Sequence, residues 1–164
     1  MKMKMKMMGL AASLLLLGAC AGPPPPSAAV PGAPPPGRGP SARAITPGSE
    51  AELKYRVGDR VYFAFDRSDI SPEAQQILER QAAWLKRYPN VVVRVEGHCD
   101  KRGTRAYNLA LGERRAHAAK SVLVALGIAP SRIGMISYGK DRPIVLGDTQ
   151  RDYALNRVAI TRVR

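Results

Sequence analysis

Regular hydrophobic spacing begins near Arg60 and continues to the end of the chain. Arg60–Phe65, "RVYFAF", alternates and is rich in aromatics, which predicts a strand. From Pro72 to Tyr88, Ala74, Ile77, Leu78, Gln81, Leu85 and Tyr88 recur at helical intervals. Ser71 is placed to cap that helix, Pro72 to start it and Pro89-Asn90 to end it. Val91–Gly97, "VVVRVEG", is β-branched and almost continuous, as in a strand buried on both faces. A second helix is predicted over 104–126, with Gly127 as its C-cap. "RIGMISYG" reads as a third strand, "KDRPIVLGD" as an extended loop, Gln150–Leu155 as a short helical turn and "RVAITRV" as a last, alternating strand. This order, β-α-β-α-β-(α)-β, predicts a two-layer α+β domain. Right-handed crossovers would put both long helices on one face of a four-stranded sheet.

The chain before residue 55 follows another pattern. Lys2, Lys4 and Lys6 precede an apolar run, Met7–Leu17, that is shorter than the roughly 20 residues needed to span a bilayer. The run ends in "LGAC", Leu17–Cys20, which resembles a bacterial lipobox. That resemblance implies a signal peptide at 1–19 and acyl chains, palmitate among them, on Cys20. Two or more chains hold a protein stably at a membrane. Ala21, where an Asp would imply retention at the inner membrane, implies sorting to the outer one. Residues 20–54 have no period and no apolar face, so they are expected to be a disordered linker. Its proline-rich stretch, extended at about 3.1 Å per residue, would reach roughly 90 Å. Residues 55–164 remain as one domain, enough for a single core.

Charge narrows the partners without choosing among them. The formal net charge of +13 falls to +10 when Lys2, Lys4 and Lys6 leave with the signal, which favours anionic partners. Nucleic acid is not expected: the chain carries export features, and aromatics make up only 5% of it. With Cys20 acylated, Cys99 has no partner for an internal disulfide.

The anomaly lies in the second helix. On a helical wheel with Leu111 at zero, Val122 falls at about 20°, Leu126 at about 60° and Arg115 at about 40°, inside the apolar stripe. A guanidinium directed at a core must find partners. Asp100 lies just before this helix, in the loop that follows the second strand, and such crevices bind ligands in open α/β layers. Two arrangements follow. Either Asp100 and Arg115 form a structural ion pair, or they are split, Asp100 accepting from a ligand ammonium and Arg115 clamping a ligand carboxylate bidentately. The second suits a small zwitterion.

"HCD", His98–Asp100, also raises the alternative of a cell-wall-acting enzyme, an amidase or endopeptidase. Strand alternation argues against it, because His98 and Asp100 would point to one side and Cys99 to the other. His98 is expected to prop the loop and Cys99 to pack as a small apolar residue. Two histidines and one free Cys make a poor metal set, and no cofactor is called for.

"YFAFDRSDI", "VEGHCDKRGTRAYNLALGERRA", "ISYGKDRP" and "NRVAI" together resemble the successive blocks of an OmpA-like peptidoglycan-binding domain, over about Tyr55–Arg164. The resemblance implies a mixed four-stranded sheet with helices on one side, and binding without catalysis. The ligand it implies is the meso-diaminopimelate of the peptidoglycan stem peptide, whose free D-centre is a zwitterion. The family's ligand-binding Asp and Arg fall on Asp100 and Arg115. Further contacts fall on Phe65, Asp66, Arg102, Thr104 and Leu111, with Asn108 in support. The implied setting is a lipid anchor in the outer membrane of a Gram-negative bacterium, with the domain facing the periplasm. Implied partners are peptidoglycan, TolB and other components of the Tol–Pal system, which acts in envelope integrity and cell division. Ala64, Lys101 and Val158 depart from the family pattern, where an acid, a Glu and a second Arg are usual; the last puts a role for a second arginine in doubt.

Overall fold

The structure, a computed structural model, describes residues 45–164. The expected signal peptide, Cys20 and linker residues 20–44 lie outside the described residues. A short helix α1 (Glu50–Glu52) runs into a wide turn at Leu53–Val57. Strand β1 (Arg60–Tyr62), helix α2 (Pro72–Arg87), strand β2 (Val93–His98) and helix α3 (Arg105–Ala125) follow. Strand β3 (Ile133–Gly139), helix α4 (Gln150–Asn156) and strand β4 (Val158–Val163) complete the domain. The strands form one mixed sheet in the order β1-β4-β2-β3. β4 lies antiparallel to both β1 and β2, and β2 is parallel to β3. The fold is α+β, as the hydrophobic spacing predicts.

Local chemistry explains the ends of the helices. Ser71 Oγ accepts from the Ala74 N–H at 3.2 Å and starts α2. Thr104 Oγ1 accepts from the Tyr107 N–H at 3.2 Å and starts α3. Thr149 and Asp152 exchange backbone bonds as a capping box at the head of α4. The core joins Leu78, Ala82 and Leu85 of α2, Ala116, Ala119 and Leu123 of α3, and Val93, Val95 and Ala159 of the sheet. Each buried leucine stabilises the fold by about 1.5–3 kcal/mol. Gln81, on the apolar stripe of α2, is fully buried but paired: its Nε2 donates to Gly58 O at 2.7 Å and its Oε1 accepts from Thr161 Oγ1 at 2.8 Å.

Several boundaries differ from the sequence reading. β1 stops at Tyr62, because after one more bond, Phe63 N–H to Arg157 O at 2.9 Å, the chain turns out of the sheet; Asp66 has φ 57°. β2 starts at Val93, since the Val91 N–H closes a turn onto Tyr88 O at 3.1 Å. Folded structure also begins before Tyr55. Leu53 is fully buried, and Glu50 accepts from the Val163 N–H at 2.6 Å and from Arg162 Nη1 at 2.9 Å. Glu52 accepts from Trp84 Nε1 at 2.8 Å, so the indole packs against this turn. These attachments are made by carboxylates, which hydrophobic periodicity does not register.

The buried face of α3 is also rotated from the expected one. Leu111, Gly112, Arg115, Ala116, Ala119 and Leu123 are buried, whereas Ala118 and Val122 are only partly so. Small residues turn inward because helix and sheet are nearly in contact. A Cβ on Gly97 of β2 would collide with the Gly112 carbonyl. Arg115 stays inside the rotated stripe and is 1% exposed.

Candidate functional site

Strand register brings four chain segments together. β4 runs antiparallel to β1 and β2, with Val158 opposite Tyr62 and Ala159 opposite Gly97. The start of β4 therefore lies beside the ends of β1 and β2, and α3 begins at the same edge. Between these ends is a cavity of about 160 Å³. Phe65, Asp66, Asp100, Arg102, Asn108, Leu111 and Arg115 line it, as do Cys99, Gly103, Tyr107 and Arg157. Of the expected site residues only Thr104 is absent from the lining. It caps α3, and its carbonyl accepts from Asn108 Nδ2 at 3.0 Å.

Arg115 is held by backbone carbonyls, not by acids. Its Nε donates to Arg67 O at 2.9 Å, Nη1 to His98 O at 2.9 Å, and Nη2 to Ala64 O at 3.2 Å. Nη1 also reaches Cys99 Sγ at 3.4 Å. A guanidinium has five N–H donors, so one on Nη2 is uncommitted. Burial, the largest influence, pulls its pKa below the ordinary value. Among the described residues no carboxylate lies within ion-pair distance of it.

Asp100 faces the same cavity with other partners. Oδ1 accepts from the Arg102 N–H and Nε, both at 3.1 Å, and Oδ2 from Arg102 Nη2 at 2.6 Å. Arg157 Nη1 stands 3.5 Å from Oδ2, too far for a good hydrogen bond, so one acceptor position there is open. Burial pushes the Asp100 pKa up, but the Arg102 hydrogen bonds and then the Arg102 and Arg157 charges outweigh it. The carboxyl ends below its ordinary range.

A structural Asp100–Arg115 ion pair is thus absent: the two side chains line one cavity and bond different partners. With four of its five donors spent on the protein, Arg115 keeps one N–H for a further acceptor. Arg157 lines the same cavity. Its Nε donates to Phe63 O at 3.0 Å, which aims its guanidinium into the cavity. The sequence reading passed over Arg157, although "NRVAI" contains it; only the β4–β2 pairing reveals its position. Tyr107 was also missed. It is three residues past the cap of α3, and its hydroxyl donates to Asp66.

Arg102 closes one side of the site, stacked with its guanidinium carbon 4.0 Å from the Phe65 ring centroid and 4.7 Å from that of Tyr153. Lys101 pairs with Asp148, outside the cavity. His98 Nδ1 bonds Arg142 O at 3.0 Å, and burial holds its pKa below the ordinary value. Cys99 Sγ donates to Asn108 O at 3.3 Å, and burial pushes its thiol pKa up. His98 and Cys99 are therefore each engaged elsewhere, and neither activates the other.

The OmpA family model matches residues 62–157. Similar proteins include the peptidoglycan-associated lipoprotein of Agrobacterium fabrum, 49% identical over 120 residues, which cover 73% of this chain and 68% of that protein. The protein of the same name from Haemophilus influenzae is 46% identical over 112 residues, covering 68% and 72%. Among solved structures, the peptidoglycan-associated lipoprotein from Burkholderia pseudomallei is 36% identical with a TM-score of 0.63, covering 65% of this chain and 90% of that one. The C-terminal domain of Helicobacter pylori MotB, 23% identical with a TM-score of 0.59, shares the fold over 65% of this chain and 84% of its own.

Proposed function

The chain belongs to the OmpA family, and from that premise we propose that it is an outer-membrane lipoprotein that tethers its membrane non-covalently to peptidoglycan. The relatives' name, carried at 46–49% identity, supports peptidoglycan as the ligand and association as the role, against hydrolysis. In this reading the group recognised is the free zwitterionic centre of meso-diaminopimelate. The observation that carries it is the buried Arg115 charge, which among the described residues has no carboxylate within ion-pair distance and keeps one N–H to spare, across a cavity from Asp100 with one acceptor position to spare. A carboxylate on Arg115 and Arg157 and an ammonium on Asp100 complete both charges at once. Leu111 and Phe65 give the ligand's methylenes an apolar wall.

Acyl chains on Cys20 would hold the membrane end, the proline-rich tract would span the gap, and the domain would work in the periplasm. No helix among the described residues is long and apolar enough to cross a membrane. TolB and the other Tol–Pal components remain the proposed protein partners, in envelope integrity and cell division. The test is co-sedimentation with purified sacculi. Asp100→Ala and Arg115→Lys should each weaken binding about ten- to a hundredfold while keeping a native circular-dichroism spectrum. If both folded variants sediment like wild type, the site assignment is wrong.

A further inference from the structure

A second cavity, of about 180 Å³, lies against the other side of the loop that carries Asp100. The two cavities share Cys99 as a wall, and Tyr153 bridges them. Its ring lines the second cavity and stacks on Arg102, which lines the first. Lys101, Lys140, Val145 and Asp148 complete the part of the lining that matters here.

Lys140 is the unusual residue in it. Its ammonium donates to Gly103 O at 2.6 Å and to Lys101 O at 3.3 Å. An ammonium has three donors, so one remains, with a full charge. No carboxylate among the described residues lies within ion-pair distance of it. Asp148, the acid of this cavity, is already paired with Lys101, so Lys140 leaves the cavity with a net positive charge. Carbonyls fix the position of the ammonium without neutralising it, as they do for Arg115.

We propose that this cavity is a second subsite, in which Lys140 receives a further carboxylate of the same stem peptide. The inference rests on the diaminopimelate reading of the first cavity. A zwitterionic centre seated there leaves the remainder of its peptide at the mouth, beside the Arg102–Tyr153 stack. In L-alanyl-γ-D-glutamyl-meso-diaminopimelate, two carboxylates remain outside the zwitterion: the α-carboxylate of D-glutamate and that of the diaminopimelate L-centre. Both have the chemistry Lys140 requires.

The experiment is calorimetric titration of the domain with free meso-diaminopimelate, with that tripeptide, and with two tripeptides amidated at one or the other carboxylate. In wild type, one of the two amidations should weaken binding about tenfold, as expected for losing a charge-assisted contact. In Lys140→Met the penalty for that amidation should vanish, and in Lys140→Arg it should persist. A ratio of affinities within one variant is unaffected if the substitution merely loosens the loop. The subsite is refuted if wild type binds all three tripeptides equally, or if Lys140→Met keeps the amidation penalty. Failure of wild type to bind free meso-diaminopimelate would instead refute the first site, and the second with it.

Discussion

Asp100 is ionised in a place where burial opposes ionisation. Its charge persists because Arg102 gives it three hydrogen bonds and Arg157 stands close. The sign of the consequence follows from the direction of the shift. A carboxyl with a lowered folded pKa contributes stability that is present above its unfolded value, about 3.9, and is lost as pH falls through the folded value. Wild type should therefore lose urea stability below about pH 4 more steeply than Asp100→Asn, which has no carboxyl to protonate. Parallel acid limbs in the two proteins would contradict this account of Asp100. At the residue scale much of the cavity lining was legible. Arg115 inside an apolar stripe is an anomaly that only a buried role explains. Its actual partners were not legible, because carbonyls of Ala64, Arg67 and His98 leave no mark on side-chain patterns. For the same reason Ala64, a departure from the family pattern, does no harm to that contact: position 64 offers its backbone.

Helix α3 sits as close to the sheet as it does because Gly112 meets Gly97. A Cβ on Gly112 would collide with Ser137 Oγ and stand 3.0 Å from Gly97 O. Gly112→Ala should push the helix outward and destabilise the domain by about 1–3 kcal/mol, read as a lower urea midpoint. An unchanged midpoint would show that the close approach is not needed. The elements themselves were legible, since α2, α3 and β4 follow strong periods and clear caps. The rotation of α3 was not, because glycine and alanine carry too little hydrophobicity to mark an inward face. The turn at α1 escaped for a related reason: Glu50 and Glu52 are acidic in sequence and structural in the fold.

At the scale of the whole domain, the cavity depends on strand order. β-α-β-α-β-(α)-β describes the chain but not which strands are neighbours. The order β1-β4-β2-β3 puts Arg157 beside Asp100 and the β1–α2 loop beside Arg115. That order could come only from the family resemblance or from coordinates. The result is a cavity in which Asp100 pairs with Arg102 while backbone carbonyls hold the Arg115 charge apart from any acid among the described residues. A crystal structure of the domain with L-alanyl-γ-D-glutamyl-meso-diaminopimelate would test this most directly. It should place a ligand carboxylate oxygen about 2.9 Å from Arg115 Nη2 and the ligand ammonium on Asp100 Oδ2. A ligand seated elsewhere, with both side chains partnered as they are without it, would contradict the account.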